Sequence, residues 1–303
     1  MNSRSLNTFA LLSAVCLSAA SLDAQTPAPP AISGVDGIRL LAADLEKSRN
    51  FYGKQLGLAE CHSDAAACFR VNISQKIELD PLGRETSPNR LVFVAFNVRD
   101  VATLRQDMKG KGLQLGDQST RADGTKFFDM LDPEKHVLQF VEHVGPLLAT
   151  KDERWGEVSR KIIHLGYVVQ NRTAMDHLYK EILGFRVYWQ GGMKDADTDW
   201  VDMQVPGGTD WLEYMLNVSP DANYKTLGVM NHIALGVDDI HAAEKQLRAN
   251  GWSGSEKPQL GRDGKWQLNL YDPDDTRVEF MEFKPTKEPC CSPYTGPHPV
   301  SPR

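Results

Sequence analysis

The apolar and polar positions repeat a short pattern: a β-rich run, a stretch of helical spacing closed by glycine, then further β-rich runs broken by turns. In the second half, Ile162 to Val169 is β-rich. Met175, Leu178, Tyr179, Ile182 and Leu183 follow at i, i+3, i+4, i+7 and i+8, the spacing of one helix face, and Gly184 ends that run. Phe185 to Trp189, Asp199 to Val205 and Trp211 to Leu216 read as strands, separated by Gly191-Gly192 and Pro206-Gly207-Gly208. The cycle restarts at His232 with a strand to Val237. A helix through Ile240, Ala243 and Leu247 ends at Gly251, and strands follow near Trp266 to Tyr271 and Arg277 to Phe283.

The first half carries the same pattern. IRLLAADLEKSRNFYGKQLGL (38–58) aligns with LGYVVQNRTAMDHLYKEILGF (165–185), placing Tyr52 on Tyr179 and Leu56-Gly57 on Leu183-Gly184. VFVAFNVRD (92–100) aligns with NHIALGVDD (231–239), and Asp132-Pro133 falls on Asp272-Pro273. The expected architecture is therefore α+β, four βαβββ units forming two tandem modules at 34–145 and 160–285. A polar linker is expected at 146–159, and a loose proline-rich tail at 286–303.

Composition adds limits. Of 303 residues, 41% are hydrophobic and 24% charged, an ordinary globular balance with room for two cores. A net charge of −6 without a basic block argues against a nucleic-acid partner. Residues 1–24, with Arg4 followed by an apolar run to Leu22, read as a secretory signal peptide; residues 25–33 read as a linker. The expected location is secreted or periplasmic, with no stable membrane span after cleavage. A homodimer is left open. Beyond the leader, Cys61, Cys68, Cys290 and Cys291 show no metal-binding spacing, and read as structural or incidental; Cys61 and Cys68 could staple a loop. Asn72, Asn171 and Asn217 lie in N-x-S/T sequons.

The candidate chemistry lies in the second half. His164 and His232 open the third and fourth units; Glu213 and Glu279 fall in their last strands. Strand interiors deplete glutamate, because an unpaired buried charge is costly. Two units facing each other would gather the four around one divalent ion, Zn²⁺, Ni²⁺, Fe²⁺ or Mn²⁺, with positions open to a substrate's vicinal oxygens. By the same register the first half offers Gly37, Glu78, Phe93 and Gln139, a damaged set, so that module is expected to lack the ion. His62, His136, His143, His177, His241 and His298 show no such arrangement. Glu142 and Glu282, at matching strand ends, are expected to face outward. Trp189, Trp200, Trp211 and Trp266 are candidates for core or pocket wall.

HLGYVV, LEYM, NHIALGVDD and YDPDDTRVEFMEF resemble the signatures of the vicinal oxygen chelate superfamily, the glyoxalase, bleomycin-resistance and extradiol-dioxygenase group. The resemblance covers both halves, and the spacing of His164, Glu213, His232 and Glu279 resembles that of glyoxalase I-like members. It implies a small-molecule substrate and a glyoxalase-like isomerase or lyase, with Glu279, or alternatively Glu213, shuttling a proton. Export argues against glutathione as co-substrate. An extradiol dioxygenase using His164, His232 and Glu279 is a second reading; those enzymes resemble a signature with a further histidine where this chain has GRDGKWQLNLY (261–271). A non-catalytic binding protein is a third, and the retained glutamate pair argues against it. The resemblance leaves open whether unit three pairs with unit four or unit two.

Overall fold

The structure, a computed structural model, describes residues 31–84, 88–143 and 156–302. The expected signal peptide, most of the 25–33 linker and most of the 146–159 linker lie outside the described residues.

The N-terminal module runs β1 (Ile32–Ala42), α1 (Leu45–Arg49) continued by a π-helical turn (Asn50–Gln55), β2 (Ala59–Glu60), β3 (Ala67–Arg70) and β4 (Lys76–Pro81). Then come β5 (Leu91–Val98), α2 (Val101–Gly110), β6 (Ser119–Thr120), β7 (Lys126–Leu131) and β8 (Val137–Glu142). The C-terminal module repeats this with β9 (Ile162–Val168), α3 (Arg172–Asp176) with its π-helical continuation (His177–Ile182), β10 (Arg186–Gly191), β11 (Trp200–Gln204) and β12 (Trp211–Met215). A helix that the periodicity did not announce, α4 (Tyr224–Met230), precedes β13 (His232–Val237), α5 (Ile240–Ala249), β14 (Gln259–Leu260), β15 (Trp266–Tyr271) and β16 (Arg277–Glu282). Each helix is capped by a side-chain oxygen of Asp44, Asp100, Asn171, Asn223 or Asp239 on a backbone N–H of its first turn.

Each module is one eight-stranded sheet, ordered β2-β3-β4-β1-β5-β8-β7-β6 and β10-β11-β12-β9-β13-β16-β15-β14. Unit three thus shares its sheet with unit four. The inner strands β9 and β13 are antiparallel, and each pairs in parallel with the last strand of its own unit, β12 and β16. The tandem two-module α+β architecture is as the repeat implied. One continuous apolar core links both modules, including Phe69, Phe96, Phe140, Tyr167, Tyr179 and Phe280.

The modules meet through a second pairing, of unit one with four and of unit two with three. Tyr52 donates to Asp272 Oδ2 (2.9 Å), and Tyr167, in contact with Tyr179 (2.6 Å), donates to Asp132 Oδ2 (3.1 Å). Both carboxylates belong to the repeated Asp-Pro turns. Burial raises Asp272 to about 6, against the lowering effect of the Thr276 N–H and Tyr52 hydroxyl.

Two expectations need correction. Glu142 and Glu282 do not simply face water: they accept the backbone N–H of Val101 (2.9 Å) and Ile240 (3.1 Å), satisfying orphan donors at the starts of α2 and α5. The proline-rich tail is packed, not loose. Trp189 Nε1 donates to the Cys290 carbonyl (3.1 Å), Gln204 to that of Pro297 (2.9 Å), and Tyr294 to that of Asp263 (2.8 Å). Side-chain donors in β10 and β11 find acceptors in tail carbonyls, and the Asp263 carbonyl of the β14–β15 turn accepts from a tail hydroxyl, a complementarity that composition does not reveal. Cys61–Cys68 is a disulfide across the β2–β3 hairpin, and Cys290–Cys291 are also bonded.

Candidate metal centre

The four candidate ligands stand on adjacent strands, β12-β9-β13-β16, at the middle of the C-terminal sheet. Register brings them together: Glu213 and His232 both lie beside Gly166 of β9, while His164 and Glu279 both lie beside Ala234 of β13. Neither neighbour has a side chain long enough to separate them. A Cβ on Gly166 would fall 2.0 Å from His232 Cε1, so only glycine there lets the imidazole lie across β9.

The ligand atoms converge. His164 Nε2 and His232 Nε2 are 2.9 Å apart. Glu213 Oε2 is 3.0 Å from His232 Nε2 and 3.7 Å from His164 Nε2; Glu279 Oε2 is 3.7 and 3.6 Å from the same atoms. Ligand atoms about 2.1 Å from a shared ion stand roughly 3.0 Å apart at right angles and roughly 3.4 Å apart at tetrahedral angles. His164, Glu213 and His232 therefore form a group that could hold one divalent cation, with Glu279 Oε2 3.6–3.7 Å from the two imidazoles.

Electrostatics agree. His232 accepts no proton readily, because burial and the Arg277 guanidinium push its pKa down despite Glu213. In its neutral form Nδ1 donates to the Met230 carbonyl (2.9 Å), the tautomer that leaves the Nε2 lone pair toward its neighbours. Burial alone would raise both glutamates. The imidazoles and Arg277 override it, holding Glu213 below its usual range and Glu279 at about 2. Two imidazole nitrogens and two carboxylates at such separations place lone pairs against lone pairs, a cost that a shared cation removes.

A cavity of about 340 Å³ opens onto His164, Glu213 and Glu279, while His232 is fully buried. Trp189, Trp200 and Trp211 line it, whereas Trp266 packs against His241 elsewhere. The ring of His164 lies 4.8 Å from that of Trp211. Behind the wall, Lys265 is fully buried, its Nζ 4.5 Å from the Trp211 ring and 5.3 Å from those of Tyr188 and Tyr294. Burial lowers its pKa, opposed by Asp263 and Asp202.

Sequence reasoning missed Asp202, Asp263, Lys265, Asn269 and Arg277. Asp202 faces Glu213 across the β11–β12 pair, and Asn269 faces Glu279 across β15–β16. Burial, then the Glu213 charge, drives Asp202 well above the usual carboxylate range. Its signal was an aspartate between Val201 and Met203 in an otherwise apolar strand.

The corresponding cluster of the N-terminal module is closed by the chain itself. Arg39, at the place of Gly166, reaches Glu78 (3.0 Å), Asp64 (2.6 Å) and Asp80 (3.4 Å), and lies 5.0 Å from the ring of Phe93. Lys76 adds a contact of 2.7 Å to Glu78. Gln139 is engaged by Arg121 (2.6 Å) and Asp129 (2.9 Å), and a Cβ on Gly37 would strike the Lys76 carbonyl at 2.2 Å.

Residues 161–280 match the profile of the Glyoxalase/Bleomycin resistance protein/Dioxygenase superfamily. The matched stretch covers most of the C-terminal module. Solved structures share the fold over both modules. An E323L mutant of homoprotocatechuate 2,3-dioxygenase from Brevibacterium fuscum superposes with a TM-score of 0.62 at 21% identity, over 84% of this chain and 72% of that one. The 2,3-dioxygenase LapB from Pseudomonas sp. KL28 gives 0.60 at 15% identity, over 90% and 96%. A Mn(II)-bound glyoxalase from Novosphingobium aromaticivorans gives 0.61 at 19%, over 84% and 82%. Comparison with curated protein sequences finds no match.

Proposed function

We propose that the protein is a metal-dependent enzyme of the vicinal oxygen chelate superfamily, of glyoxalase-like isomerase or lyase type, acting on a small molecule with two adjacent oxygens. The observation that carries this reading is the convergence of His164, Glu213, His232 and Glu279 to within 3.7 Å of a neighbouring ligand atom beside a cavity. These four would hold the ion, which when bound supplies Lewis-acid polarisation of the substrate oxygens.

The chain's own part is proton transfer. A carboxylate oxygen of Glu279, or alternatively of Glu213, takes a proton from the carbon next to the polarised oxygens and returns it to the neighbouring carbon. Asp202 stands opposite Glu213, and burial shifts it toward the protonated form, in which it would donate a hydrogen bond to developing negative charge. The three indoles keep water from that charge.

The dioxygenase reading draws support from neighbours that are named dioxygenases. Against it, among the described residues lining the cavity, His164 is the sole histidine, and the β14–β15 segment contributes Arg262, Asp263, Gln267 and Asn269 instead. The two disulfides support export to an oxidising compartment. No helix among the described residues is long and apolar enough to cross a membrane.

The test is elemental analysis of the purified protein, followed by aerobic and anaerobic assays. One divalent ion per chain and O₂-independent isomerisation are expected. His232→Ala should lower metal affinity at least a hundredfold while the N-terminal module keeps its structure. Stoichiometric O₂ uptake would select the dioxygenase, and full metal occupancy in His232→Ala would remove the site assignment.

A further inference from the structure

Two successive cysteines of the tail, Cys290 and Cys291, are bonded to each other. A bond between neighbours closes the shortest loop a disulfide can. It therefore takes little freedom from the unfolded chain and adds little to global stability. The bond between Cys61 and Cys68, by contrast, spans seven positions and staples a hairpin. What the tail bond shapes is local.

Cys290 ties together two residues that line the cavity. Its N–H donates to the Arg262 carbonyl (2.8 Å) in the β14–β15 turn, and its carbonyl accepts from Trp189 Nε1 (3.1 Å) on β10. The next residue but one continues the strap, since the Ser292 hydroxyl accepts the Gln190 N–H (3.0 Å). Trp189 in turn stacks on Trp200, with ring planes 16° apart and centroids at 6.5 Å. Cys291 is held at φ 75°, the left-handed region that a residue with a Cβ seldom adopts. Its Sγ packs against Gly191, where an added Cβ would fall 3.3 Å away, and accepts from Arg262 Nη2 (3.7 Å). Asp195 shares that Nη2.

Breaking the bond disturbs each of these contacts. Bonded sulfurs stand about 2 Å apart, whereas unbonded ones need roughly 3.5–4.0 Å. With Gly191 behind it, the Cys291 sulfur can separate only outward, and without the ring its backbone is free to leave the left-handed region. The peptide that joins the two cysteines must turn with it. The carbonyl of that peptide is the acceptor of Trp189 Nε1. The pair is also open to reagents, with Cys291 exposed and Cys290 half-buried. Arg262 beside Cys291 favours a thiolate there.

We propose that Cys290–Cys291 is a thiol–disulfide exchange site, and that its reduction loosens the cavity wall at Trp189. The site is separate from the metal centre, for neither cysteine lines the cavity. The reactant is a dithiol. One of its thiolates attacks Cys290 Sγ, the S–S bond breaks, and Cys291 leaves as a thiolate beside Arg262. The second thiolate of the dithiol then attacks its own sulfur in the mixed disulfide and releases Cys290. Two electrons pass to the cysteines, the dithiol becomes a disulfide, and its two protons end on the cysteine thiols.

The test is acrylamide quenching of tryptophan fluorescence in the full-length protein across a dithiothreitol titration. Alkylation and mass spectrometry report which cysteines are free, and circular dichroism reports the fold. Cys290 and Cys291 should open before Cys61 and Cys68. Quenching should then rise by about a third, with the fold intact, and fall again on reoxidation. The double substitution Cys290→Ser, Cys291→Ser should show the raised quenching without reductant and no further response. Trp189→Phe should lose the response. Complete alkylation of Cys290 and Cys291 with quenching unchanged would overturn the proposal. So would a pair that resists dithiothreitol while Cys61–Cys68 opens, an undiminished response in the double serine variant or in Trp189→Phe, or loss of secondary structure on reduction.

Discussion

One hydrogen atom, where other residues carry a Cβ, decides whether His232 can reach its neighbours. In Gly166→Ala the added methyl would lie 2.0 Å from the imidazole, so the ring must rotate off β9 or the strand must shift. We expect the fold to survive, with a loss of about 1–3 kcal/mol, and metal affinity to fall at least tenfold. Calorimetric titration with Mn²⁺ beside a thermal melt checks both; unchanged affinity would show that His232 is not held as described. The four ligands were legible in the sequence because acidic side chains inside apolar strands need a reason to be there. Asp202, Asn269 and Arg277 were not. Their place at the site depends on which residue lies opposite in the sheet, and the chain does not spell out register. Lys265 was obscured likewise: beside Asp263 and Gly264 it reads as a turn lysine, yet an aromatic cage encloses it.

At the scale of elements, the repeated Asp-Pro turns clasp tyrosines of the opposite module, Tyr52 of a helical turn and Tyr167 of β9. Asp272 is raised to about 6 in the fold, against an unfolded value of about 3.9. The protonated form is thus favoured in the native state. Its stabilising effect is fully present below about pH 4 and is lost as pH rises through about 6. Asp272→Asn cannot titrate, so urea unfolding at pH 4.5 and pH 7.5 should show a smaller loss of stability on raising pH than the parent, by roughly 1–3 kcal/mol. An identical pH dependence in the two proteins would discount the clasp. The helical and strand periodicities, and the glycine stops, announced most elements here. They did not announce α4, only seven residues long, or the docking of the tail, which depends on partners at the far end of the module.

Across the whole molecule, the two modules solve one electrostatic problem in two ways. Buried carboxylates gather at the centre of each sheet. In the C-terminal module their arrangement suits an exchangeable ion; in the N-terminal module Arg39 takes that role beside Glu78, which is 1% exposed. Removing Arg39 strands a buried charge with Lys76 as its remaining cation. Arg39→Met should therefore cost roughly 3 kcal/mol of stability while leaving the metal content of the protein unchanged, as unfolding curves and elemental analysis would show. A drop in metal content would mean that the modules share a site. The repeat and the damaged ligand set could be read from sequence alignment alone. That Arg39 fills the gap could not, because it aligns with a glycine and its approach to Glu78 depends on how β1 and β4 lie in the sheet.

The positive charge that steadies the N-terminal sheet is built into the polypeptide. No chelator can extract it, so the N-terminal sheet keeps its charge balance at any concentration of metal.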